Sequence, residues 1–194
     1  MMETRVLTGP ALDAALDDVA ALRIAVFRDW PYLYEGSLDY ERRYLESYRT
    51  SPGAVVVGAF DGPRLVGAAT GTPLEDHAED FAASFAPTGL PLETVFYCAE
   101  SVLLPDYRGQ GLGHAFFDAR EAHARALGRR FSAFCAVIRP KDHPLKPDTY
   151  RPLDGFWQKR GYVPLPGVIA HFRWTDIGAA GETAKPLQFW GRPL

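Results

Sequence analysis

Cysteine is scarce in this chain, with Cys98 and Cys135 the only two among 194 residues, each inside an apolar run. Two thiols are too few for a structural zinc site, and their setting predicts buried free thiols of a reducing compartment rather than a disulfide. Long apolar runs are missing as well. None approaches the roughly 20 residues of a membrane helix, and no basic stretch followed by a long apolar segment opens the chain. Neither a membrane span nor a secretory signal is expected, and the cytoplasm is the expected compartment. Positive charge is not in excess. The 21 Lys and Arg stand against 24 Asp and Glu, a formal charge of −3, which gives no basic face for nucleic acid.

Several chemistries are excluded by missing motifs. There is no GxxxxGK[ST], no HExxH and no GxSxG. A dinucleotide fingerprint needs Gly or Ala at its last position. Counting from Gly109 reaches His114, counting from Gly111 reaches Phe116, and no acidic residue ends the next strand. The run Glu75, Asp76, His77, Glu79, Asp80 reads as a solvated acidic face, so no metal is expected.

What is present is a composition 47% hydrophobic and 23% charged, enough for one domain over residues 1–194 with a substantial core. Leu12, Leu16, Val19, Leu22, Val26 and Phe27 predict a helix from Ala11 to Asp29, ended by Pro31. Ser37 is expected to cap a second helix that carries Tyr40, Tyr44 and Tyr48 on one face. The runs 54–60 and 65–70 around Asp61-Gly62 read as a hairpin, and Leu74 to Leu92 as a short helix or surface lid. An apolar strand from Val95 to Pro105 leads to a helix with Leu112, Phe116, Ala119, His123 and Leu127 on one face, ended by Gly128. Phe131 to Ile138 is the next strand, so this unit implies parallel pairing. A loop from Arg139 to Arg151, a short helix from Leu153 to Arg160 and strands near Val168–Trp174 and Leu187–Trp190 complete the chain.

Between that strand and helix stands Arg108-Gly109-Gln110-Gly111-Leu112-Gly113. Three glycines in five residues let a ligand approach the backbone, and the first turn of a helix offers N–H groups without internal partners. Together they form a cradle for a phosphate-bearing cofactor. Arg108-x-x-Gly111-x-Gly113 matches the [RQ]xxGx[GA] signature of the GCN5-related N-acetyltransferase (GNAT) superfamily, and the later Phe156-Trp157-Gln158-Lys159-Arg160-Gly161-Tyr162 resembles the family's "FYxKxGF" ending.

The resemblance covers most of the chain in the family's order. It implies an α/β fold with a mixed, partly splayed central sheet flanked by helices, and an acetyl-CoA-dependent N-acetyltransferase. It further implies that the backbone from Gly109 through Gln110, Gly111 and Leu112 to Gly113 holds the pyrophosphate, and that Arg108 fixes the turn or faces the phosphates. Leu103 and Leu104 would pair with the pantetheine arm like an added strand, and Trp157 would pack beside the cofactor.

The chain departs from the family at the acid. Trp157 occupies the position where relatives carry a tyrosine, and indole has no proton to give. Tyr150, seven residues earlier, becomes the candidate acid, with water as the other proton source. Glu100 is the candidate base. It stands in an apolar strand, expected on the same face as Cys98 and Val102, where a carboxylate accepts a proton directly or through water; the competing reading is a structural carboxylate bonded to an arginine.

Tyr32, Tyr34 and His143 are the candidate acceptor-site residues, since aromatic walls with nearby carboxylates suit an ammonium group. The expected function is acetyl transfer from acetyl-CoA to a primary amine of a small molecule or peptide by direct attack, without an acyl-Cys98 intermediate. A non-catalytic acyl-CoA-binding or regulatory module, a longer acyl group and a homodimer stay open.

Overall fold

A computed structural model describes residues 2–194. Strand β1 (Met2–Leu7) precedes helix α1 (Gly9–Phe27), which ends before Pro31 is reached. Helix α2 (Leu38–Thr50) begins as expected at Ser37, whose Oγ accepts from the Tyr40 N–H at 3.4 Å. Asp39 and Glu41 in its first turn and Arg49 in its last complement the helix dipole. The hairpin is β2 (Val55–Asp61) and β3 (Arg64–Pro73), paired antiparallel.

Helix α3 (Ala78–Phe85) corrects the expected surface lid. Phe81 and Phe85, four apart on the inner face, are each 1% exposed and meet the rings of Tyr97, Phe172 and Phe189. Burial of each such ring stabilises the fold by about 1.5–3 kcal/mol, so this segment is core.

The remaining elements are β4 (Val95–Tyr97), β5 (Ser101–Leu103), α4 (Leu112–Ala126), β6 (Phe131–Val137), α5 (Asp154–Lys159), β7 (Val163–Thr175) and β8 (Glu182–Pro193). The sheet runs β1-β2-β3-β4-β6-β8-β7, with β5 also on β3. Its one parallel pairing is β4 with β6, the pair the strand-turn-helix-strand unit predicts. Helices α1 and α2 cover one face through Leu12, Val19 and Leu45. Helix α4 covers the other, with Phe116 and Phe117 against Val57, Phe96 and Phe134.

Two sequence expectations need correction here. The single strand from Val95 to Pro105 is broken at residues 98–100. The buried face of α4 also differs from the one expected. It includes Phe117, Arg120, Glu121 and Ala124, while Leu127 is 39% exposed. Beside the break, Arg120, 1% exposed, donates to the carbonyls of Thr70 (3.1 Å), Glu100 (3.0 Å) and Phe116 (3.2 Å) and to Ser101 Oγ (2.8 Å). The Thr70 and Glu100 carbonyls also accept from the Ala99 and Thr70 N–H groups, so the buried guanidinium adds a second donor to each.

Candidate active site

Strand β4 pairs with β6 for three residues, Val95 with Phe131 through Tyr97 with Ala133, and the Cys98 N–H adds one bond to the Ala133 carbonyl at 2.8 Å. Beyond that point the strands part. Ser101, Val102 and Leu103 pair with Ala69, Ala68 and Gly67 of β3, whereas β6 continues beside β8 as far as Val137. A V-shaped cleft opens between β5 and β6, and each presents a backbone edge to it. Side chains alternate across β6, so Phe134 faces α4 and Cys135 faces the α1–α2 side.

The glycine turn stands where β5 ends. Gly109 and Gly111 have φ of +75° and +85°, and nothing lies within 4 Å of where a Cβ would stand at either. Gly111 is the N-cap of α4 and no side chain bonds the helix's first N–H groups, which leaves them for a ligand. Gly113 has a different reason to be glycine, since a Cβ there would meet Phe156 at 3.3 Å. Arg108 ties the turn to the strand by donating to the Leu103 carbonyl at 3.1 Å, and Gln110 folds back onto the Asp106 carbonyl at 3.2 Å. Trp157, on α5, packs with Phe134 (4.9 Å) and Trp190 (5.1 Å) on the α4 side.

Across the sheet, Glu100 lies at the strand break. Its side chain is directed to the α1–α2 side and ion-pairs with Arg23, and one of its oxygens accepts from Tyr44 OH at 3.0 Å. Cys98 does not share this face. It packs on the α4 side, 3.4 Å from Ser132 Oγ, because the break interrupts the alternation that would have aligned the two. Arg23 also pairs with the buried Glu41, and Tyr34 OH donates to Glu41 at 2.9 Å, so the Tyr34 hydroxyl is engaged in the α2 scaffold. Burial opposes the charge on Arg23, but Glu100, Tyr44 and Glu41 together raise its pKa, so it stays protonated. One guanidinium thus meets two buried carboxyl groups.

Phenols lie beside this cluster. Tyr44 OH lies 3.0 Å from Tyr48 OH, and Tyr97 OH is 3.5 Å from Cys135 Sγ. Burial pushes the Tyr44, Tyr48 and Tyr97 hydroxyls upward, so they are neutral at physiological pH. Burial also pushes the Cys135 thiol up to about 12 and raises that of Cys98, so both free cysteines are protonated and poor nucleophiles.

Tyr32 stands between Glu100 and the outer loop. Burial raises its pKa, with further contributions from Cys135, Glu100 and Tyr150, while a hydrogen bond with the Val137 backbone works the other way. His143 and Tyr150 share a cavity of about 340 Å³ with Lys141, Asp142 and Lys146, and both rings meet Trp30, at 5.0 and 6.1 Å. Tyr32 thus stands near Glu100 and Tyr150, His143 shares the outer-loop cavity with Tyr150, and the glycine turn stands apart from them at the end of β5. Sequence reasoning missed Arg23, Glu41, Tyr44, Arg120 and Arg139, all of which act through partners distant in the chain.

The sequence model of the Acetyltransferase (GNAT) family matches residues 20–145. The chain belongs to this family. The GNAT assignment accounts for the mixed sheet, its splay and the glycine turn at the head of α4 in one description. No curated protein matches the sequence. Solved structures share the fold at low identity. One is yncA from Salmonella typhimurium, with its cofactor acetyl-CoA, at 13% identity and a TM-score of 0.61, covering 100% of this chain and 94% of that one. A ribosomal-protein-alanine N-acetyltransferase from Brucella melitensis matches at 14% and 0.64 over 99% of both chains. An acetyltransferase from Thermus thermophilus matches at 17% and 0.60 over 98% of this chain and 97% of that one. Among the described residues, no helix is long and apolar enough to cross a membrane.

Proposed function

We propose that this GNAT protein transfers an acetyl group from acetyl-CoA to a primary amine of a small molecule or peptide, acting as one domain over residues 1–194 in the cytoplasm. The observation that carries the reading is the juxtaposition at the splay: an open glycine cradle at its end and two buried carboxyl groups around Arg23 on one face. The acetyl-CoA of yncA and the named activity of the Brucella protein support it, and the two buried free thiols support a reducing compartment.

On this reading the N–H groups from Gly109 to Gly113 hold the pyrophosphate, Arg108 and Gln110 brace the turn, and the free edge at Leu103 and Leu104 receives the pantetheine arm. Trp157 walls the cleft on the α4 side. The Glu100 and Glu41 carboxyl groups form the side of the cleft that receives the acceptor's amine. The ammonium first gives one proton to bulk water, and the amine nitrogen then forms a bond to the thioester carbonyl carbon as the C–S bond breaks. The nitrogen's surplus proton passes through water to Glu100, and the thiolate takes up a proton from Tyr150 or water that Glu100 then replaces. Burial and Asp154 raise the Tyr150 phenol above its ordinary value, so it is protonated at neutral pH and stands beside water as the candidate acid for the thiolate, while Tyr32 and His143 serve the acceptor mouth.

Acetyl-CoA is expected to raise the melting temperature while NAD does not. Thiol release from acetyl-CoA is then measured with n-butylamine, spermidine, tyramine and an alanine-initiated peptide. Glu100→Gln should keep the thermal shift and lower turnover about 100-fold. A thermal shift with no thiol release would identify an acyl-CoA-binding module instead, and no shift would end the cofactor reading.

A further inference from the structure

Arg139 lies two residues beyond the end of β6, and its side chain is 8% exposed. Its guanidinium donates from Nε to the Pro31 carbonyl at 2.8 Å and from Nη2 to the Tyr32 carbonyl at 2.6 Å. Both Nη atoms also meet the Asp176 carboxylate, at 2.8 and 2.9 Å. Asp176 is held in turn by the buried Lys185 at 3.2 Å. The segment so gripped is docked against the end of β7. Glu35 N–H donates to the Thr175 carbonyl at 2.9 Å, Ile177 N–H to the Leu33 carbonyl at 2.8 Å, and Trp174 Nε1 to the Tyr32 carbonyl at 3.1 Å. The Tyr32 ring is thereby set between Phe27 (4.6 Å) and Trp174 (6.1 Å).

From this we infer that Arg139 is a positioning residue of the acceptor side, clasping residues 30–35 so that Tyr32 stands over the open end of β6. The inference rests on the acceptor-site reading above. A planar fork that meets a carboxylate with two N–H groups while the others reach two successive carbonyls is a task for arginine, and lysine cannot reproduce it. None of the clasp's partners belongs to residues 103–113, so it acts on the acceptor half of the cleft alone.

Arg139→Lys and Asp176→Asn test this by two routes. Hydrogen exchange at the Leu33, Tyr34 and Glu35 amides should speed up at least tenfold in both, with the amides of α4 and its preceding turn at wild-type rates. With the best of n-butylamine, spermidine and tyramine as acceptor, the KM for the amine should rise at least fivefold while that for acetyl-CoA stays within twofold. Wild-type exchange in both variants, or a parallel rise in both KM values, overturns the clasp. If no amine is turned over by the wild type, the acceptor reading fails, and the exchange rates alone decide whether Arg139 holds the segment.

Discussion

The glycine turn and the Glu100 chamber open on the same cleft and are built in opposite ways. The turn is contiguous in sequence, exposed, and offers backbone N–H groups whose direction is set by two left-handed glycines. The chamber is assembled from α1, α2, the strand break and the residues after β6. It works through side chains whose charges are buried in pairs. Main-chain recognition depends on conformation, whereas side-chain recognition changes with each substitution. On the proposed reading, the chamber can be retuned to a new acceptor while the turn goes on holding the same cofactor.

The comparison can be broken most severely at the seam the two regions share. Arg120 holds the break at residues 98–100, from which β5 leads to the turn and Glu100 to the chamber. Arg120→Met removes the side-chain bonds to the Thr70 and Glu100 carbonyls and to Ser101 Oγ, and a loss of about 2–3 kcal/mol is expected in urea unfolding. A loss below about 1 kcal/mol would show that the break holds itself.

Next in size is Gly111→Val. A β-branched residue at φ of +85° costs about 1–3 kcal/mol and reshapes the cradle. The acetyl-CoA-induced stabilisation, about 2.7 kcal/mol for the wild type at 100 times Kd, should vanish, while the chamber stays intact. Retention of the full shift would mean that the turn does not hold the cofactor.

The smallest effect sharpens the comparison through pH. Burial opposes ionisation of Asp176, but Arg139 and then Lys185 outweigh it and hold the carboxyl below its ordinary value. A depressed pKa contributes stability that is whole above the unfolded value of about 3.9 and is lost as pH falls through the folded value. The stability gap between wild type and Asp176→Asn should therefore be constant at neutral pH and shrink below about pH 4, as followed by thermal melts across the pH range.

The two regions also differed in how far the sequence revealed them. The turn was legible because its residues are neighbours and glycine spacing has a direct conformational meaning. The hairpin, the α2 cap and the parallel β4–β6 pair were legible for the same local reason. Glu100 shares the α1–α2 side with Val102 as expected but not with Cys98, because alternation presumes an unbroken pleat. Arg139 carried no local signal at all. Its partners Pro31 and Asp176 lie 108 and 37 residues away, and an arginine between an apolar strand and a proline-rich loop has no pattern of its own. Arg120 was hidden likewise, since its acceptors at Thr70, Glu100 and Ser101 lie 50, 20 and 19 residues away.

The break at residues 98–100 has a kinetic side. It divides the sheet into a half made of β1, β2, β3 and β5 and a half made of β4, β6, β8 and β7, joined by the two pairings Thr72–Tyr97 and Pro73–Phe96. Each half holds a local hairpin, β2–β3 in the first and β7–β8 in the second, while the pairing of β6 with β8 must bring Phe131 against Pro193 across a long stretch of chain. The cleft comes into being only when the halves meet, so a ligand lodged between them finds no site on either alone. Such a ligand slows the native protein's coming apart and leaves the speed of its assembly unchanged.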